Sequence, residues 1–217
     1  MLRVDDITIG YGHRVIASGI SLSLEKGECV LLCGANGSGK TTLLKALAGH
    51  GAAMVPARIP KVGGFSVREF IRTGCYKDTS LSGRPSPEGA RAMDEAMETL
   101  GIEQFSGRDI STLSDGEFQK ACIASALARR SETILLDEPT AYLDPDSRIM
   151  VLQALRSVSG KRAVLFSSHD IDQAACVCTR VMGLTRDGRF LDSAAGTDRE
   201  EIFTTCFERY GRETIHN

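Results

Sequence analysis

The rhythm of apolar and polar positions changes several times along this chain. Ile20-Ser-Leu22-Ser-Leu24 alternates apolar with polar residues, the pattern of a strand with one solvated face. After a turn at Glu25-Lys-Gly27, Cys29-Val-Leu-Leu-Cys33 is apolar throughout, as in a strand covered on both faces. Thr133-Ile-Leu-Leu136 and Ala163-Val-Leu-Phe166 repeat that run, and Val181-Met-Gly-Leu184 repeats it more weakly. Helix-like segments separate the runs. Leu43 to Ala48 continues a helix that Gly49 would end in a left-handed conformation. Asp144-Pro145 reads as an N-cap and a first-turn proline, opening a helix through about Val158. This alternation predicts an α/β protein with a largely parallel central sheet.

Residues 65–130 differ. Val67 to Ile71, Ala90 to Leu100 and Phe118 to Arg129 have helical spacing, with no convincing strand among them. Lys77 to Gly89 is polar and rich in Ser, Gly and Pro, which predicts a loop. The segment reads as a helical subdomain inserted into the α/β core. Beyond about residue 195, a helix from Glu200 to Tyr210 is expected, with no function attached to it.

Composition changes this picture little. The 217 residues suit one domain, and 42% apolar with 25% charged residues is ordinary for a globular chain. The net charge of −2 gives no global argument for nucleic acid or an anionic membrane surface as a partner. No run approaches a membrane span, and MLRVDDITIGYGH lacks the pattern of a signal peptide, so a cytosolic location is expected. Seven cysteines, an odd number without a secretion signal, argue against a disulfide framework. Burial is the expectation for Cys29, Cys33 and Cys122, and the lone Cys176-x-Cys178 has too few companions for a metal site.

The chemistry begins at Gly34-Ala-Asn36-Gly37-Ser38-Gly39-Lys40-Thr41, which fits G-x-x-x-x-G-K-[ST] between a buried strand and a helix. Its glycines let the N–H groups from Asn36 to Thr41 turn around a phosphate chain, helped by the positive end of the helix that continues through Thr42. Lys40 would reach the β- and γ-phosphates and Thr41 would offer an oxygen to Mg²⁺. Asp137 and Glu138 end an apolar strand, where the first could serve Mg²⁺ and the second could polarise an attacking water. Leu113-Ser114-Asp115-Gly116-Glu117 has capping-box spacing between Ser114 and Glu117, yet the same helix start could bind an anion. Spacing leaves both readings open. His169 is likewise open between a structural role and a place on the ligand-binding edge of the sheet.

In this order, the motifs resemble the ATP-binding cassette (ABC) ATPases. Tyr11 resembles the aromatic that stacks on adenine, and residues 34–41 resemble the Walker A loop. Leu113 to Glu117 is similar to the family signature LSGGQ. Ile134 to Glu138 is similar to Walker B with its catalytic glutamate, Tyr142-Leu-Asp144 to the D-loop, and His169 to the switch histidine. The resemblance covers about residues 1–190. Leu-Ser-Asp-Gly-Glu, with Phe65-Ser-Val-Arg-Glu-Phe70, looks most like the iron-siderophore, haem and cobalamin importer branch.

It implies a P-loop NTPase core (1–64 and 131–195) with a mostly parallel sheet, a reduced antiparallel β subdomain, a helical subdomain (65–130) and a tail (196–217). It also implies a head-to-tail homodimer in which Ser114, Gly116 and Glu117 contact ATP held by the partner chain. The activity implied is ATP hydrolysis with Mg²⁺, powering a membrane permease from the inner face of the membrane, with an external substrate-binding protein in the full system. Lys40, Glu138 and His169 would be catalytic, and Thr41 and Asp137 would hold the metal.

Two departures stand out. Ala57, in Val55-Pro56-Ala57, occupies the family's Q-loop glutamine position, and its methyl can neither ligate Mg²⁺ nor orient a water. The chain between Gly49 and Val55 is also short, lacking a β-hairpin of the antiparallel subdomain. These favour an alternative, a nucleotide-gated module with weak or no hydrolysis. The short stretch between Thr41 and Leu113 leaves no room for the coiled coils of DNA-acting relatives, and no N-K-x-D base reader supports a GTPase.

Overall fold

A computed structural model describes residues 1–78 and 85–207 of the chain. A six-stranded sheet runs in the order β4 (Ala53–Val55), β5 (Thr133–Leu136), β6 (Ala163–Ser167), β3 (Cys29–Cys33), β7 (Arg180–Leu184), β8 (Phe190–Asp192). All neighbours are parallel except β7 and β8. The unbroken apolar runs follow from this position. Successive side chains of a strand point to opposite faces, so Cys29, Leu31 and Cys33 enter one core with Ile134, Phe166 and Val181. Val30 and Leu32 enter a second core with Leu43, Leu47 and Ile20 on the other face. Both faces are covered, and neither demands a polar residue.

The second core is closed by an antiparallel hairpin of β1 (Leu2–Tyr11) and β2 (Arg14–Leu24) and by α1 (Lys40–Ala48). Among the described residues this hairpin is a two-stranded sheet by itself, the reduced antiparallel subdomain expected from the short Gly49-to-Val55 stretch. β1 is not apparent in the sequence because Asp6 takes a left-handed φ of 53° and the register shifts between Val4 and Ile7, which destroys the alternation. One expectation is corrected at the end of α1. Gly49 stays right-handed (φ −58°), and the helix unwinds through His50 to Gly51, which takes the positive φ of 93°.

Three helices cover the first core, in the stretch of chain where the sequence predicts helices: α2 (Val67–Arg72), α3 (Pro87–Thr99) and α4 (Asp115–Ala128). Ser66 and Glu69 form a capping box for α2, and Ser86 caps α3 with Pro87 in its first turn. The predicted loop from Lys77 is thus shorter than expected. Pro87 to Gly89 already belong to α3, and residues 79–84 lie outside the described ones. Asp144 caps α5 (Pro145–Ser159) through Ser147 N, as its sequence predicts. α6 (Ile171–Val177) follows β6, and α7 (Arg199–Cys206) begins one residue before the expected Glu200 but ends at Cys206, where Phe207 turns extended; residues 208–210 of the expected helix lie outside the described ones. Cys29, Cys33 and Cys122 are buried, and burial pushes the Cys29 and Cys122 thiols up to about 12.

Arg162, between α5 and β6, ties the helical layer to the core. Its Nη1 donates to the carbonyls of Leu127 and Arg129 at the end of α4, both at 2.8 Å. The Leu127 carbonyl lies in the last turn of α4, where intrahelical donors run out, and the Arg129 carbonyl also accepts from Ser131 N. Arg162→Ala is expected to lower stability by about 1.5–3 kcal/mol, the usual worth of hydrogen bonds from a charged donor. A shift of the urea midpoint without a change in slope checks it.

Candidate functional site

The site forms where β3, β5 and β6 end, on the edge of a parallel sheet where ligands bind. Residues 34–39 leave β3 and turn into α1. Two glycines are required for steric reasons. A Cβ on Gly34 would stand 2.4 Å from the Leu184 carbonyl and 2.6 Å from Ser38 Oγ, and Gly39 has a φ of 106°. Gly39 is the N-cap of α1 and offers no side-chain cap, nor does the first turn contain an acid. The helix therefore presents bare N–H groups and the positive end of its dipole. Lys40 folds back over the loop, its Nζ donating to the Gly34 carbonyl at 2.7 Å and the Ala35 carbonyl at 3.3 Å. Burial lowers its pKa, while Glu138 and Asp137 hold it up. Ser38 Oγ is buried without a hydrogen-bond partner among the described residues, an orphan that a phosphate oxygen would satisfy.

A chain of hydrogen bonds crosses the strand ends. Thr41 Oγ1 donates to Asp137 Oδ2 at 2.7 Å, Ser167 Oγ donates to Asp137 Oδ1 at 2.8 Å, and Glu138 N donates to Ser167 Oγ at 2.9 Å. The amide of His169 then donates to Glu138 Oε2 at 3.1 Å. His169 Nε2 lies 3.3 Å from Glu138 Oε1, an oxygen otherwise buried and unbonded. Glu138 is held at a φ of 52°, a conformation that costs a non-glycine residue about 1–3 kcal/mol and clusters at functional sites. Burial raises the Glu138 pKa, opposed by the charges of His169 and Lys40. Ser167 joins the metal-ligand candidates to the base candidate. Its only sequence signal is a polar residue at the end of an apolar strand.

Tyr11 stands beside this site with its ring exposed, its hydroxyl accepting a hydrogen bond of 2.6 Å from Thr42 Oγ1. Ser114, Gly116 and Glu117 gather elsewhere, at the start of α4. Ser114 Oγ accepts from Glu117 N and the Glu117 carboxylate accepts from Ser114 N, so the helix-cap reading holds within one chain. The hydrogen bond that Ser114 N donates to the carboxylate also lowers the Glu117 pKa. A Cβ on Gly116 would meet the Tyr142 carbonyl at 3.1 Å, so this loop packs on residues 142–143. Ala57 lines an open cavity of about 530 Å³ with Lys61, Asp115, Gln119 and Tyr142. Val55 just before it accepts from Asp137 N at 2.9 Å.

Among the described residues, no helix is long and apolar enough to cross a membrane. A protein-family profile described as "ABC transporter" matches residues 17–56 and 51–141. The iron(3+)-hydroxamate import ATP-binding protein FhuC of Bacillus subtilis (strain 168) is 32% identical over 201 residues, spanning 80% of this chain and 75% of its own. The ferric enterobactin transport ATP-binding protein FepC of Escherichia coli (strain K12) is 29% identical, over 97% of this chain and 87% of its own. The cobalamin import ATP-binding protein BtuD of Halobacterium salinarum (strain ATCC 29341 / DSM 671 / R1) is 33% identical, over 89% and 55%. Among solved structures, a metal-chelate type ABC transporter in an inward-facing conformation superposes with a TM-score of 0.81 at 24% identity, covering 95% of this chain and 88% of that one. The cassette MJ0796 bound to ADP and Pi superposes at 0.71 with 23% identity, covering 88% and 98%.

Proposed function

The chain belongs to the ABC transporter family as an ATP-binding, ATP-hydrolysing subunit, and we propose that Lys40, Glu138 and His169 carry its hydrolysis. The observation behind this reading is the continuous hydrogen-bonded path from Thr41 through Asp137, Ser167 and Glu138 to His169. ATP phosphates lie along the loop from Gly34 to Thr42, held by backbone N–H groups, Ser38 Oγ and Lys40. Thr41 and Asp137 would hold a magnesium ion, which supplies charge neutralisation at the phosphate oxygens when bound. The ionised Glu138 carboxylate accepts a proton from the attacking water while the His169 amide keeps it aimed. Tyr11 presents its exposed ring to the adenine.

The rest of the assembly belongs to the same proposal. Two copies pair head to tail, so that Ser114, Gly116 and Glu117 of one face the ATP of the other. Residues 65–130 form the subdomain that meets a membrane permease at its inner face, and residues 1–64 with 131–195 form the nucleotide core. An external binding protein delivers the cargo, an iron chelate, haem or cobalamin, by analogy with the iron(3+)-hydroxamate, enterobactin and cobalamin importers among the relatives. Phosphate release by the purified chain, compared with Glu138→Gln, tests the site. Equal rates in both would overturn it.

Ala57 bears on the rate. Its methyl leaves an open cavity with room for a longer side chain. Ala57→Gln is expected to raise turnover by roughly 2- to 10-fold, the worth of one hydrogen bond. Steady-state hydrolysis checks this, and an unchanged rate would mean that the segment after β4 does not reach the reacting phosphate.

A further inference from the structure

The signature loop carries a carboxylate where an anion is to be received. Asp115 is the first residue of α4, beside the N–H groups that the capping box leaves without an intrahelical acceptor. An acid there favours the helix dipole within the chain, yet it repels a triphosphate approaching from a partner. The structure holds a counter-charge in place. Lys61 reaches across from the segment after Ala57, and its Nζ lies 2.6 Å from Asp115 Oδ1 and 2.9 Å from the Leu113 carbonyl. The ammonium also stands 5.6 Å over the Phe118 ring, so three contacts on both sides of Ser114 fix it. The lysine side chain is 25% exposed and the aspartate 71%. The cation is the seated member, and the carboxylate is the one open to a visiting chain.

We infer that Lys61 is a positioning residue that acts by cancelling the Asp115 charge, so that this acid-bearing signature accepts the γ-phosphate held by the partner copy. The inference rests on the head-to-tail reading above. It also gives the segment after β4 a role that does not need a glutamine at Ala57. The link runs from that segment to the signature through one ammonium group.

The test uses the full chain carrying Glu138→Gln, with the ATP concentration for half-maximal dimerisation read by light scattering. Adding Lys61→Ala should raise that concentration about fivefold, the upper range for a partly exposed charge pair. Lys61→Arg should hold it near the parent value. The deciding variant is Lys61→Ala with Asp115→Asn, which should return it to the parent value, because the uncompensated charge is gone. A double variant as impaired as Lys61→Ala would mean that the lysine acts only as a structural brace and would overturn the inference. Asp115→Asn alone keeps the lysine and should dimerise at the same or lower ATP; a higher requirement would also overturn it. If the parent dimerises with ATP and Lys61→Ala changes nothing, this inference falls by itself. If the parent stays monomeric at saturating ATP, the head-to-tail reading falls first and takes the inference with it.

Discussion

Glu138→Gln should leave ATP binding intact and slow hydrolysis by ~10²–10⁴-fold, the range for loss of a positioned base. The substitution is nearly isosteric, so the left-handed backbone and the Ser167 contact to the residue 138 amide are kept. The glutamine oxygen still accepts from the His169 amide, as Glu138 Oε2 does at 3.1 Å. What disappears is the capacity to take a proton from water. The same change removes a negative charge near the incoming γ-phosphate, so the ATP-bound dimer should persist instead of reopening. Phosphate release and light scattering on one preparation read both effects. Hydrolysis at the wild-type rate would assign the base elsewhere.

The buried carboxylate also sets a pH dependence. Burial is the largest influence on Glu138 and raises its pKa above the ordinary glutamate value, with His169 and Lys40 pulling the other way. The base works ionised, so kcat should fall as pH drops through that raised pKa, above the ordinary glutamate range. Stability runs in the opposite sense. The folded chain binds this proton more tightly than the unfolded chain, so Glu138 costs stability once pH rises through its folded value, and the cost is relieved as pH falls below the unfolded one. Glu138→Gln should therefore be at least as stable as wild type at neutral pH, with the advantage fading in acid. Thermal melts across that window check the sign.

Local motifs were legible in the sequence, and relations between distant residues were not. The phosphate loop, Asp137-Glu138, and the caps at Ser114 and Asp144 each lie within eight consecutive positions, where spacing alone fixes the geometry. The runs Cys29–Cys33 and Thr133–Leu136 read as two-faced strands because both faces of the sheet are covered. β4 is too short at three residues to show a period, and Asp6 breaks the pattern of β1. The left-handed residue expected at Gly49 falls instead on Gly51, because spacing does not fix where a helix unwinds. Ser167 and Lys61 stayed hidden for another reason. A serine at a strand end and a surface lysine are common, and their meaning comes from partners 30 and 54 positions away.

Lys40→Ala tests the other end of the site and should weaken ATP binding by ~10²–10⁴-fold, since two hydrogen bonds from a charged donor are worth about 3–6 kcal/mol. In the structure the ammonium is spent on the Gly34 and Ala35 carbonyls, at 2.7 and 3.3 Å. It is buried, with its proton affinity lowered by that burial. Exchanging two neutral carbonyls for phosphate oxygens gives it stronger, charge-assisted bonds, so the lysine is poised to change partners when nucleotide arrives. Alanine removes the charge and leaves the bare N–H groups of α1, which attract an anion only through partial charges. Calorimetric titration with ATP measures the loss. Thermal melts give an independent reading, because ATP should raise the wild-type midpoint and leave that of Lys40→Ala nearly unmoved. Near-wild-type affinity would mean that backbone and Ser38 hold the nucleotide and that Lys40 acts only on the transition state, in which case turnover would fall while binding did not.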